Sequence, residues 1–367
     1  MKKILTLLAL TISFCMNAQM TDNSSGTSAT GNNSVAMGYY TTAIGDQSTA
    51  MGYSTLASGL SSTAMGKYAT ASGDHSTVMG FNTLASKYAS TAMGSNTAAS
   101  GDYSTAMGSN TTASGNYSTA MGKSTMAIGN YSTAMGTSTT ASGNYSTAMG
   151  KSTMASGAYS TAMGTNTTAS GELSTAMGVI TMASGAYSTA MGLGTMASDY
   201  ATTVIGTFNF SGSSATDALS FSMSNPAFVI GNGTEPESLS DAFKVMFNGD
   251  ATLAGNLSVN SDARLKANII SLGSTLTKLL QIDGKSYTMK KDENNKQKIG
   301  VLAQDIEKVF PELVSESNGI KSVNYQGLVP VLINALKEQQ SEIEILKQQQ
   351  AEIDELKEMV QELVSRN

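Results

Sequence analysis

The chain has one cysteine, one histidine and no tryptophan in 367 residues, and only 6% of it is aromatic. With so few rings, a single copy can hardly bury enough apolar surface to offset its backbone entropy. No run past the first residues approaches the ~20 apolar positions of a membrane-spanning helix. The C-terminus also lacks the alternating, aromatic-ended strands of an outer-membrane barrel, so no transmembrane anchor is evident. A net charge of −6 provides no broad basic surface for nucleic acid. His75 is remote from every other candidate catalytic group, so a Ser-His-Asp triad has no support. It occupies a slot usually held by Tyr and reads as a surface or packing substitution.

Met1-Lys2-Lys3 followed by the apolar run Ile4–Phe14, with Ala18 before Gln19, reads as a secretory signal peptide over residues 1–18. It predicts a secreted or cell-surface product. A lipoprotein reading would use Cys15, but Phe14 is too bulky for the small residue expected before it. Once Cys15 is removed, no disulfide is available, and stability outside the cell must come from stacking and oligomerisation.

What the chain has in abundance is a period. Met recurs every 14 residues from Met37 to Met191, Ile205 takes the next slot, and Gly follows each of these thirteen positions. One copy runs from Tyr103 through Met107-Gly108 to Ser114-Gly115-Asn116. Within it, Thr105-Ala106-Met107-Gly108 is echoed by Thr112-Ala113-Ser114-Gly115. A period of seven invites a coiled coil, but Gly at nearly every seventh residue costs a helix about 1 kcal/mol each, and β-branched Thr adds more. Short β-prone runs punctuated by Gly predict strands and turns, one coil per copy. Alternation puts Tyr103, Thr105 and Met107 on one face and Ser104 and Ala106 on the other. The Met side is placed inside the coil, and the small-residue side is offered to neighbouring chains. Thirteen coils would extend roughly 60 Å at about 4.8 Å each. So thin a rod predicts several chains side by side, most simply three.

The cycle is similar to the head repeat of YadA-like trimeric autotransporter adhesins, and Asn33-Ser34-Val35-Ala36-Met37-Gly38 nearly spells that family's repeat. The resemblance covers about residues 33–206. It implies a mainly β fold, a trimeric left-handed parallel β-roll, displayed at a surface and adhesive toward a receptor the sequence does not name. The missing barrel anchor departs from the full family.

Residues 207–260 break the period and read as a β-rich connector. Strands are expected at Phe208-Asn209-Phe210, Ala227–Ile230 and Leu257–Val259, with a hairpin at Asp241–Gly255 turning on Asn248-Gly249.

From Ser261 charge and helical periodicity appear. Ser261-Asp262-Ala263-Arg264-Leu265-Lys266, Ile299–Val314 and Val323–Leu336 together resemble the endosialidase-type intramolecular chaperone, a self-cleaving serine peptidase domain, over about 261–355. The resemblance implies an α+β domain that trimerises, guides a β-rich stalk to fold and cuts itself off. It assigns the catalytic dyad to Ser261 and Lys266 and the cleaved bond to Asn260–Ser261. The chemistry is sound: a serine hydroxyl needs a base, and a lysine amine serves only when burial or neighbouring charge brings its pKa down from about 10.4. The bland alternative is a helix start, with Ser261 or Asp262 as N-cap and Lys266 an ordinary surface lysine. Asp262 and Arg264 either orient the active site or merely pair with charges.

Residues 336–365 carry Leu336, Ile343, Leu346, Ile353, Leu356, Val360 and Leu363 at three- and four-residue steps, with Gln349 in the seam. Parallel helices joining three chains are expected, against one helix folded back on its own domain. No metal, nucleotide or other cofactor motif is present: the calcium nonapeptide and the phosphate-cradling glycine loop are both missing. Three rivals remain: a polysaccharide-degrading spike, disfavoured by the sparse carboxylates of the repeat; an ice- or mineral-binding solenoid, suggested by the Thr array; and a phage-type tail fibre, which a signal peptide argues against.

Overall fold

The computed structural model describes residues 20–21, 25–210, 218–290 and 295–365. The expected signal peptide over 1–18, with Cys15, lies outside the described residues. The chain divides into two compact units, 1–257 and 258–367.

The first unit is a parallel β-solenoid. Each coil has a five-residue strand such as Thr105–Ser109 and a two-residue strand such as Thr112–Ala113. Each residue pairs with its equivalent 14 positions on: Met93 with Met107, and Met107 with Met121. The long strands stack into one sheet of 17 strands, joined by the connector strands, and the short ones into a second sheet of 13.

The interior is lined by Ala, Ser and Thr. Ala106 on the long strand, Ala113 on the short strand, and Ser104 and Thr111 just before each are all fully buried. The Met column points the other way and remains partly exposed, Met37 at 37% and Met79 at 36%. This reverses the expected orientation. A coil closed by a two-residue strand has room inside for Cβ atoms and hydroxyls, not for an unbranched thioether. Ser104 fits because its hydroxyl donates to the Gly101 carbonyl at 2.7 Å.

Glycine after Met is set by the stack. Gly108 has φ +124, and a Cβ there would lie 2.0 Å from the Gly122 carbonyl oxygen. Each coil also places a non-glycine residue in the left-handed region at its turn, Tyr103 at φ 55 and Tyr117 at φ 57 among them. Beside these tyrosines runs a side-chain ladder. Asn116 and Asn130 accept from the backbone N–H of Asp102 and Asn116, each at 3.0 Å, so these turns are tied to one another.

The connector ends the roll. Pro226–Asn232 adds a last parallel strand, pairing Ile230 with Ile205. Asp241–Met246 then runs antiparallel to it and pairs with Ala251–Leu253 around Gly249, as the Asn-Gly turn predicts. Two expected strands are absent. Phe208 bends at φ 37 and buries its ring over Gly194, while Asn209 caps the backbone of Met196. Leu257–Val259 has no strand partner, and Leu257 is 68% exposed.

The second unit has a small core of Ile306, Phe310, Leu313 and Val331. It joins the helix Ala303–Val309, the hairpin Val314–Ser317 with Ile320–Val323, and the start of the long helix Leu328–Ser365. Beyond Ala335 that helix leaves the core, and every residue from 339 to 365 is exposed. The folded-back alternative therefore does not hold for this segment.

Candidate functional site

Asp262 starts a short 3-10 turn, Ala263–Leu265, by accepting from the Arg264 backbone N–H at 2.8 Å. The Arg264 guanidinium returns to the same carboxylate, with Nη2 2.6 Å from Oδ2. Arg264 holds the Asp262 carboxyl below its usual range, first through this side-chain pair and then through the backbone bond. The turn doubles the chain back over five residues, and Lys266 Nζ donates to Ser261 Oγ at 2.8 Å. The N-cap reading and the Ser-Lys pairing thus coexist, with Asp262 as the cap. Asp262 and Arg264 pair with each other.

All of this is exposed on a single chain. Leu265, Ile269 and Ile270 stand 71%, 67% and 86% exposed around it. Asn260, on the N-terminal side of the expected scissile bond, is exposed as well. Apolar residues this bare beside a charged pair form a site with no walls of its own. His75 lies in the repeat unit against the Tyr88 ring, 5.3 Å between centroids. Among the described residues, no group of His, Cys, Asp or Glu is placed to hold a metal ion. No described helix is long and apolar enough to cross a membrane.

A second cluster escaped sequence reasoning. Glu338, on the long helix, accepts from the Ser274 hydroxyl at 2.7 Å and from the backbone N–H groups of Thr275 and Leu276. It thereby caps the helix Leu276–Leu279, while Thr275 Oγ1 donates to the Val331 carbonyl. Ser274-Thr275 before Leu276 is a local helix-start signal, but nothing local points to a carboxylate 63 residues on. These bonds, the Ser274 hydroxyl first, hold the Glu338 carboxyl below its ordinary value of 4.5. A depressed carboxylate stabilises the fold fully above the unfolded value and loses that contribution as pH falls through the folded one. Glu338→Ala is therefore expected to lower the melting temperature of the second unit at neutral pH. The gap from wild type should close as pH drops below about 4.5, followed by circular dichroism of the full chain.

Comparison with known proteins places both units. The YadA head domain repeat matches seven segments between residues 29 and 209. The family described as chaperone of endosialidase matches 261–315, a span that opens on Ser261. The chain is a β-solenoid of YadA head repeats joined to a chaperone-of-endosialidase domain. It is similar to the long tail fiber protein Gp37 of Salmonella phage S16, 30% identical over 26% of this chain and 14% of that protein. It is also similar to Gp37 of Escherichia phage AR1, 32% identical over 24% of this chain and 9% of that protein. The chain thus matches only a small part of these relatives' length.

Proposed function

We propose that the protein is a secreted, trimeric, fibrous surface adhesin whose C-terminal domain aligns three chains, drives the roll to fold and then cuts itself away before Ser261. The observation that carries this reading is the bare apolar stripe of the long helix. Leu346, Ile353, Leu356, Val360 and Leu363 are each 46% exposed or more. Repeated at heptad spacing, such a stripe calls for parallel helices of other chains. The outward Met column offers the roll a matching surface, and the YadA-like repeats support a trimeric fibre.

Parallel stacking is rich in non-local pairings and slow to nucleate. Three chains held in register by their helices lower the entropy of finding that alignment. Assembly would also wall in Ser261. The uncharged amine that takes the Oγ proton is favoured once neighbouring chains exclude water. Ser261 Oγ then adds to the Asn260 carbonyl carbon and the Ser261 amide nitrogen leaves with a proton, giving an ester. Water hydrolyses the ester, releasing a carboxylate at Asn260 and a free amine and hydroxyl at Ser261. A rod released this way is kinetically trapped, because its guide has gone.

Sedimentation of the full chain carrying Ser261→Ala is expected to give three copies per particle. Adding Ile353→Asp with Leu356→Asp should abolish that species. A compact wild-type monomer would end the adhesive-fibre reading. The Gp37 similarity favours a second reading, a phage-type fibre. Export of a reporter fused to residues 1–18 separates the two: export supports the secreted adhesin, and retention supports the fibre.

A further inference from the structure

The residue after Met-Gly occupies one outward column along the roll. In most coils it is small or flexible: Ser95, Ser109, Lys123, Thr137, Lys151 and Thr165. Three of the first four coils differ, with an aromatic ring in that slot. Tyr39, Tyr53, Lys67 and Phe81 fill the slot, in direct register from strand to strand. The next column contributes Tyr40 and Tyr68, at φ 54 and 56, where other coils place Ser54, Asn82, Asn96 and Asn110. Asn suits that left-handed backbone and Tyr does not. Neither column needs a ring for folding, since the same coil is built elsewhere without one.

The five rings are 40–53% exposed and form one surface. Three contacts are edge-to-face: Tyr39 with Tyr40 at 75°, Tyr53 with Tyr68 at 86°, and Tyr68 with Phe81 at 67°, while Tyr39 and Tyr53 stack at 5.5 Å and 20°. Edge-to-face packing leaves more ring face open to solvent than a continuous stack does. Farther along, Tyr117, Tyr131, Tyr145 and Tyr159 stack at 4.8–4.9 Å within 2° of parallel, so their faces are spent on each other.

Lys67 sits within the patch, its Nζ 5.2 Å from the Tyr68 centroid, 5.4 Å from Tyr53 and 5.9 Å from Phe81. The two nearest turn carboxylates in sequence, Asp46 and Asp74, are engaged elsewhere by the backbone N–H groups of Asn32 and Leu60. A cation framed by partly exposed aromatic rings fits a ligand with a flat C–H face and a carboxylate.

We propose that Tyr39, Tyr40, Tyr53, Tyr68 and Phe81, arranged around Lys67, form a binding site for acidic sugars of the hexuronate class. The C–H face of a pyranose lies on the rings and its carboxylate meets the Lys67 ammonium. This site rests on the adhesive reading and names the chemistry of the receptor.

The test is titration calorimetry of the full, assembled chain with a short hyaluronan oligosaccharide and with its methyl ester. Wild type should bind the acid at least tenfold more tightly than the ester. Lys67→Thr should remove that difference. Tyr53→Ser with Phe81→Ser should weaken both ligands at least tenfold. Each substitution installs a residue the same slot holds in another coil, so the roll should fold with an unchanged circular dichroism spectrum. Tyr131→Ser, in the stacked ladder, should leave binding intact. No binding by wild type, or equal binding of acid and ester, would overturn the proposal. So would altered sedimentation of the patch variants, which would make the patch a contact between chains. Attachment of wild type to a biological surface, scored in parallel, separates the two readings: attachment without hyaluronan binding removes this site and leaves the adhesin standing.

Discussion

Expressed and allowed to assemble, the wild-type chain is expected to reach the mass spectrometer as two fragments, broken between Asn260 and Ser261. Ser261→Ala should arrive whole. The expectation rests on the 2.8 Å contact between Lys266 Nζ and Ser261 Oγ, held by a turn that Asp262 caps. Removing the hydroxyl removes the nucleophile, so the loss should be complete. Lys266→Met removes only the base and should slow the break at least about a hundredfold, the low end for general-base assistance. Both variants should still sediment as the assembled particle, because neither side chain belongs to the small core around Ile306 and Phe310. Cleavage should also depend on assembly. In the single chain the pair is exposed, so water is not excluded from it. Wild type carrying the Ile353→Asp and Leu356→Asp pair should therefore remain uncut. An unbroken wild-type trimer would leave the domain a folding clamp without peptidase chemistry.

Replacing Gly108 by Val should open the roll. A Cβ there would meet the Gly122 carbonyl oxygen at 2.0 Å and its carbonyl carbon at 2.9 Å, both backbone atoms that cannot step aside. The φ of +124 adds a second cost for any L side chain. Strain of about 1–3 kcal/mol and overpacking of about 1–3 kcal/mol together predict a loss of about 4 kcal/mol. In a stack where each coil touches only its neighbours, the damage should stay local. Hydrogen exchange is the suitable measure: amides near residues 108–122 should lose protection while distant coils keep theirs. Gly255→Ala is the control, since nothing lies within 4 Å of a Cβ there. An unchanged exchange pattern in the Gly108 variant would contradict the stacking.

Much of this architecture is legible in the sequence because its rules are local and repeated. The 14-residue spacing of Met and Gly is the coil, and residue i pairs with i+14 throughout. Which face closes inward is not local. Alternation separates Met107 from Ala106 but leaves open which side the turns enclose, and only the narrow section of the coil excludes the thioether. The strands expected at Phe208 and Leu257 failed for a related reason: β-prone residues need a partner, and Phe208 found a glycine to cover instead. At the candidate site, the Ser261 to Lys266 spacing could be read from the chain, since a single capped turn sets the distance. The Glu338 clamp could not, because its partners lie 62–64 residues away. The aromatic patch is hidden in the sequence for the opposite reason: Tyr39 to Phe81 look scattered until the register lays them side by side.

That same register has a bearing on how such a molecule changes over generations. Excising one coil would bring residue i+14 to the place of residue i, and each backbone hydrogen bond of the strands would find a successor of the same kind. Reach can therefore be lengthened or cut in increments of about 4.8 Å without redesigning anything at either end, much as links are added to a chain. Length becomes a quantity that gene duplication and loss can tune.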